Sequence, residues 1–285
     1  MKITTEVDFV PFKEELLYDD GFVDLLRLQT GEVLHFPHLV DSQKEDLVAR
    51  RLRVQDDHAF VTTNKGFLWI DLAQSFVRGH FDVGQCEDVA LWGTHLFAAY
   101  GGKFYHIDRR GNLNDLSQWT LALNAHVNAI APSAQTLFVS LDPDQGANAG
   151  LWSISAPSLQ AVDNTAAQVA PSAGWQHFDK EYRGYQLRVD TEGQLLAYQQ
   201  GRITRVAPAN IAAFSRTSIP AEAQCADTDG QGGWWLGFSD KGIVRRPVDA
   251  AEWSADKATQ YFGRTGPRYD LAYFMRYRGG DLLVA

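Results

Sequence analysis

Two carboxylates, two residues apart, open the segment Asp142-Pro-Asp-Gln-Gly146. Acidic oxygens alternating along a turn that ends in glycine resemble the start of a calcium loop, where a hard cation gathers about six to eight oxygen ligands. The complete loop needs a third alternating ligand and a distal glutamate. Asn148 is the only further oxygen donor nearby, so the segment also reads as an ordinary polar turn. The expectation is a protein without a cofactor, with calcium at Asp142 and Asp144 as the one alternative. Eight histidines are scattered, and only His35 and His38 stand close together. No His-x-x-x-His or Gly-x-Ser-x-Gly spacing accompanies them, and no glycine-rich loop leads into a helix to cradle a nucleotide. Cys86 and Cys225 are too few for a disulfide framework or a thiolate metal site, and both are expected to be reduced and buried.

The elements that must position these groups repeat. Asp227-Thr-Asp-Gly-Gln-Gly-Gly-Trp-Trp-Leu-Gly-Phe-Ser-Asp-Lys-Gly-Ile-Val-Arg-Arg246 reads as turn, apolar strand, polar turn, second strand. Weaker copies run over 58–71, 95–108 and 193–206. A strand-turn-strand unit recurring at roughly forty residues marks a propeller blade. The expected fold is all-β, a single β-propeller over 1–285, with seven blades (six as the alternative) of up to four antiparallel strands. First strands are expected near Ile3, Arg51, Asp88, Val127, Tyr185, Ala223 and Leu271, the last unit being partial. No window sustains apolar residues at helical spacing. Trp69, Trp152 and Trp235 fall on blade strands and are expected in the core.

The unit from Asp227 to Arg246 resembles the repeat of two-component regulator propellers: Asp229, Gly230, Trp235, Gly237, Gly242, Ile243 and Arg245 occupy that repeat's places. The other units keep the glycine-plus-apolar third strand, as in Lys65-Gly-Phe-Leu-Trp69, and mostly lose the tryptophan. The resemblance implies propeller architecture. Members of that family often serve as sensor regions joined to membrane helices and kinase modules, and neither attachment is seen in this sequence.

In such an architecture the loops between second and third strands share a face with the loops entering each first strand, and loops on a rigid scaffold carry binding residues. That places Asp19, Asp20, Lys65, Tyr100, Asp142, Asp144 and Lys241 together with Tyr182, Arg183, Arg268 and Tyr269. Trp175, after the irregular stretch 156–174, fits either a recognition loop or an outer strand. The reading is a non-enzymatic binding protein or scaffold that recognises a protein through this face. The net charge of −9, concentrated in acids such as Glu14, Glu15, Asp56 and Asp57, disfavours nucleic acid and suits a basic, toxin-like partner. The alternative is a propeller hydrolase or lyase with a carboxylate or metal site at its channel. No run reaches the ~18 apolar residues of a membrane helix and no signal-peptide pattern opens the chain, so no membrane contact and a cytoplasmic location are expected.

Overall fold

The computed structural model describes residues 23–27, 32–36, 49–71, 73–74, 76–155, 174–184, 186–190, 193–228, 233–238, 242–246, 259–261, 275–278 and 281–284. The chain divides into two compact units. One comprises Leu47–Gln199 and Thr204–Ser215; the other comprises Met1–Asp46, Gln200–Ile203 and Arg216–Ala285.

The strands form in sequence order. A hairpin of β1 (Val23–Arg27) and β2 (Glu32–Phe36) comes first. The first four-stranded blade is β3 (Ala49–Gln55), β4 (His58–Thr63), β5 (Gly66–Asp71) and β6 (Phe76–Phe81). The second is β7 (Cys86–Trp92), β8 (His95–Tyr100), β9 (Lys103–Asp108) and β10 (Thr120–Leu123), and the third is β11 (Val127–Pro132), β12 (Thr136–Leu141), β13 (Gly150–Ser155) and β14 (Gln176–Asp179). The fourth is β15 (Gln186–Val189), β16 (Leu195–Gln199), β17 (Arg202–Val206) and β18 (Ser215–Ser218). The fifth is β19 (Ala223–Thr228), β20 (Trp234–Phe238), β21 (Gly242–Arg246) and β22 (Thr259–Tyr261), and a last hairpin pairs β23 (Met275–Arg278) with β24 (Asp281–Val284). The only helical pieces among the described residues are short 3-10 turns, at Leu116–Gln118, Pro143–Asn148 and Pro208–Asn210.

The protein is an all-β propeller built of antiparallel four-stranded sheets. Among the described residues it has five such blades, which corrects the expected seven or six. The first and last repeats each supply a two-stranded hairpin among the described residues. Alternating apolar residues identify a hairpin, but they do not say whether a second hairpin completes the sheet.

Within the larger unit the first strands β3, β7, β11 and β15 pack one against the next. Each of β3, β7 and β11 carries an extra residue near its start. Arg50, Glu87 and Asn128 have no partner opposite, because the register slips between Ala49 and Arg51, Cys86 and Asp88, and Val127 and Ala129. The same slip occurs in β19 of the other unit, between Ala223 and Cys225. A bulge of this kind bends the strand and re-aims its side chain, so a polar residue can be turned out of an apolar ladder.

The repeat glycine has an equally local cause. Gly66, at the start of β5, has φ +134°, and a Cβ there would lie 2.0 Å from the carbonyl oxygen of Phe81 on β6. Gly150 holds the same place on β13, with φ +123° and the Asp179 carbonyl 2.3 Å from a would-be Cβ. A residue without a side chain is required there both by conformation and by space.

The core is aromatic. Trp69, Trp152 and Trp235 are all buried, and the last is wholly inaccessible. Cys86 and Cys225 are buried free thiols whose ionisation burial opposes: Cys86 is raised well above the usual range and Cys225 to about 12. Thiols held protonated in this way are inert.

One buried charge joins three blades. Asp88 on β7 is fully enclosed, yet accepts hydrogen bonds from Arg51 Nη1 (2.7 Å) and Arg53 Nε (3.2 Å) on β3, and from the backbone N–H of Ile130 on β11 (2.8 Å). Arg53 also donates to the Ile130 carbonyl. Burial opposes ionisation of Asp88, but the Arg53 and Arg51 charges outweigh it and hold the carboxyl below the ordinary range. Gln55 adds a second tie, its amide bonding both the N–H and the C=O of Leu91.

Candidate functional site

In an antiparallel four-stranded sheet the turn after the second strand lies at the same edge as the segment entering the first. In the larger unit this gathers the β4–β5, β8–β9 and β12–β13 hairpins with the segments leading into β7, β11 and β15. The hydrogen bond from Ser140 Oγ to the Gly184 carbonyl (2.9 Å) joins the end of β12 to the β14–β15 segment at this edge. The bulged residues face the same edge. Arg50 Nη2 pairs with Glu87 Oε2 at 3.1 Å, and Gln85 donates to Glu87 Oε1 at 2.6 Å.

The β12–β13 loop is the most elaborated part. Asp142 caps the first of two 3-10 turns that make up Pro143–Asn148, its Oδ1 accepting the Asp144 N–H at 2.9 Å, and Gly146 (φ 57°) forms the kink between them. Proline at the first turn position fits because that N–H would otherwise lack a partner. The far end of the loop is pinned to the blade. Trp152 Nε1 donates to the Asn148 carbonyl (2.7 Å), and His177 Nε2 donates to the Ala149 carbonyl (3.0 Å) while its ring stacks on Trp152 at 4.1 Å. At the near end the Asp142 N–H donates to the His126 carbonyl (2.9 Å). That brings the His126 ring beside the loop, with Nδ1 3.5 Å from Asp144 Oδ2 and 4.0 Å from Asp142 Oδ2. Partial burial opposes ionisation of Asp142, but the Asp144 N–H, Asn128 and His126 outweigh it and hold the carboxyl below its ordinary range. These three side chains form the one group of three or more His, Cys, Asp or Glu among the described residues whose donor atoms all lie within 4.8 Å.

The residues expected from sequence distribute unevenly. Asp142, Asp144, Lys65 and Arg183 lie at this edge, with Asp144 and Arg183 exposed and the other two half-buried. Arg183 donates to the carbonyls of Lys180 (2.6 Å) and Tyr182 (2.7 Å), which folds its guanidinium over its own turn. Tyr182 is fully buried, and its hydroxyl donates to the Tyr198 carbonyl at 2.7 Å. Gly184 makes room for it, since a Cβ there would sit 2.6 Å from the hydroxyl oxygen. Tyr100 is buried at the edge of the core, stacked on Tyr105 at 4.5 Å and edge-on to Trp119, and burial pushes its phenol upward. Trp175 is buried just before β14, edge-on to Phe104 on β9. Asp19, Asp20, Lys241, Arg268 and Tyr269 lie outside the described residues. Sequence reading passed over His126, Asn128, Arg50 and Glu87. The spacing His126-x-Asn128 just ahead of an apolar strand was the available signal, but a bulge has no residue pattern of its own.

No protein-family model matches the sequence, and no curated protein does. Solved structures of like fold are numerous. One is PorZ, a bacterial surface component of the type-IX secretion system of Porphyromonas gingivalis, at 18% identity and TM-score 0.63 over 92% of this chain and 32% of that one. Another is the extracellular domain of BT4673 from B. thetaiotaomicron, described as a hybrid two component system, at 12% identity and TM-score 0.56 over 92% and 37%. A chain of the mitotic checkpoint complex matches at 11% identity and TM-score 0.60 over all of this chain and 90% of that one. The chain therefore spans about a third of PorZ and somewhat more of BT4673, and at these identities the likeness concerns the fold. The propeller architecture that the regulator-propeller resemblance implied is thus shared with the BT4673 domain, at the level of the fold.

Proposed function

We propose that this propeller is a non-enzymatic binding module that recognises a protein partner through the loop edge bearing Lys65, Asp142, Asp144 and Arg183. The observation that carries the reading is the construction of the β12–β13 loop. It is fixed at both ends by Trp152, His177 and the His126 carbonyl, and it presents an exposed carboxylate at its tip. A loop ordered before contact forms an interface at little entropic cost. The bulged Arg50 and Glu87 add polar groups at the same edge. A partner with basic side chains fits the carboxylates of the loop and the net charge of −9. Proteins of like fold include a secretion-system component and a member of a checkpoint complex, and both work within larger assemblies.

The test is co-purification from the native host with the full chain as bait, run in parallel with charge-reversed variants. Arg183→Glu with Asp144→Lys alters the proposed edge. Arg110→Glu alters the opposite edge, where Arg110 is 80% exposed. A partner retained by Arg110→Glu and lost by the double variant supports the reading. A partner indifferent to the double variant, or none enriched over an unrelated propeller, refutes it.

A further inference from the structure

We propose that His126, Asp142 and Asp144 bind a divalent transition-metal ion of the zinc class. Three potential ligand atoms converge from two separate segments of one blade, Nδ1 of His126 from the strand entry and one oxygen each of Asp142 and Asp144 from the β12–β13 loop. A tetrahedral ion with ligand bonds of about 2.0–2.1 Å holds its ligands about 3.3–3.5 Å apart. The imidazole nitrogen stands 3.5 Å from one carboxylate oxygen and 4.0 Å from the other. Closing that second gap asks for roughly half an ångström from the half-buried Asp142 and His126 side chains.

The surrounding hydrogen bonds orient the set in the way outer groups orient metal ligands. Gln145 donates to Asp144 Oδ1 at 2.6 Å, so the Oδ2 atom is the one turned toward His126. Asp142 Oδ1 is held by the Asp144 N–H, again leaving Oδ2 as the atom nearer the imidazole. Asn128, the bulged residue of β11, bonds the Asp142 carboxylate from the strand side. The bulge thus supplies a positioning residue for the site. Two carboxylates brought side by side repel, and a dication between them and a neutral imidazole removes that repulsion.

The donor set selects among metals. Calcium collects about six to eight oxygens, whereas this cluster offers one nitrogen and two carboxylates. Nitrogen and carboxylate ligands together suit zinc and its neighbours. The Asp144 side chain is 59% exposed and that of His126 31%, so one flank of the ion would face solvent and keep a position for water or for a side chain of another protein.

The experiment uses the full chain, stripped with a chelator and titrated with zinc chloride by calorimetry in a non-coordinating buffer. The expected result is one saturable ion per chain, with cobalt substituting and giving visible absorption. Asp144→Asn and His126→Ala should each weaken binding by at least about 10-fold, and Asn128→Ala by about 10-fold through its hold on Asp142. His95→Ala, remote from the loop, should leave binding unchanged. Asp144 is exposed, so its variant keeps its fold, and circular dichroism checks this for all four. Zinc binding that survives both ligand variants is adventitious and overturns the proposal. So does the absence of saturable zinc binding, or a response to calcium in preference to zinc. None of these outcomes depends on whether the partner is found.

Discussion

Replacing Asp88 by alanine tests the tie between blades most directly. The side chain is wholly buried, and its removal takes away the carboxylate shared by Arg51 and Arg53, which are only 17% and 13% exposed. It also leaves the Ile130 N–H without its acceptor. Breaking a buried ion pair from one side costs about 3–5 kcal/mol. The arginines keep some access to water, so the lower part of that range, about 3–4 kcal/mol, is expected here. For a chain of this size that corresponds to a fall in Tm of roughly 6–16 °C. The assay is urea and thermal denaturation of Asp88→Ala and Asp88→Asn, with Asp108→Asn as control. Asp108 pairs with Arg110 at the exposed edge, and its loss should not register. The pH dependence has a definite sign. The Asp88 carboxyl is depressed in the folded state, so its contribution is complete above the unfolded value near ~3.9 and is lost as pH falls through the folded value. The stability curves of wild type and Asp88→Ala should therefore converge in acid. Amide exchange supplies a local readout: Ile130 N–H should lose protection in the variant beyond the global change. A loss under about 1 kcal/mol at neutral pH, or an Ile130 amide as protected as before, would refute the account.

Two further outcomes follow from the same structure. Gly66→Ala should destabilise by about 3 kcal/mol or more, combining backbone strain with the clash against the Phe81 carbonyl. Gly84→Ala, with φ +76° and no neighbour within 4 Å, should suffer the strain alone, and equal Tm losses would show that space at Gly66 is not limiting. His106, stacked on Phe97 at 5.5 Å, is held down to about 4 by burial and then by His95. Its contribution is present above about pH 6.5 and is lost as pH falls toward 4, so His106→Phe should flatten that limb by on the order of 1–2 kcal/mol; an unaltered profile in denaturation from pH 7 to 4 would count against it.

Much of the architecture was legible in the residue order because it depends on local patterns. Alternating apolar residues set the hairpins, and the glycines at the heads of β5 and β13 mark where the fourth strand's carbonyl leaves no room for a Cβ. The tryptophans of the third and second strands were legible as core because they fall on strands whose other apolar residues, such as Phe67, Leu151 and Phe238, are buried with them. What the order could not carry was any property that depends on which strands meet. The blade count followed from which hairpins joined into four-stranded sheets. Tyr182, Tyr100 and Trp175 look like surface aromatics in a polar context, and only the packing of neighbouring strands puts them inside. Asp88 lies in an apolar run, and its partners stand more than thirty residues away on β3 and β11. His126 meets Asp142 and Asp144 because a hairpin returns the chain to the edge it left. Contacts of that kind are made by sheet register and blade order, and these exist only once the chain has folded.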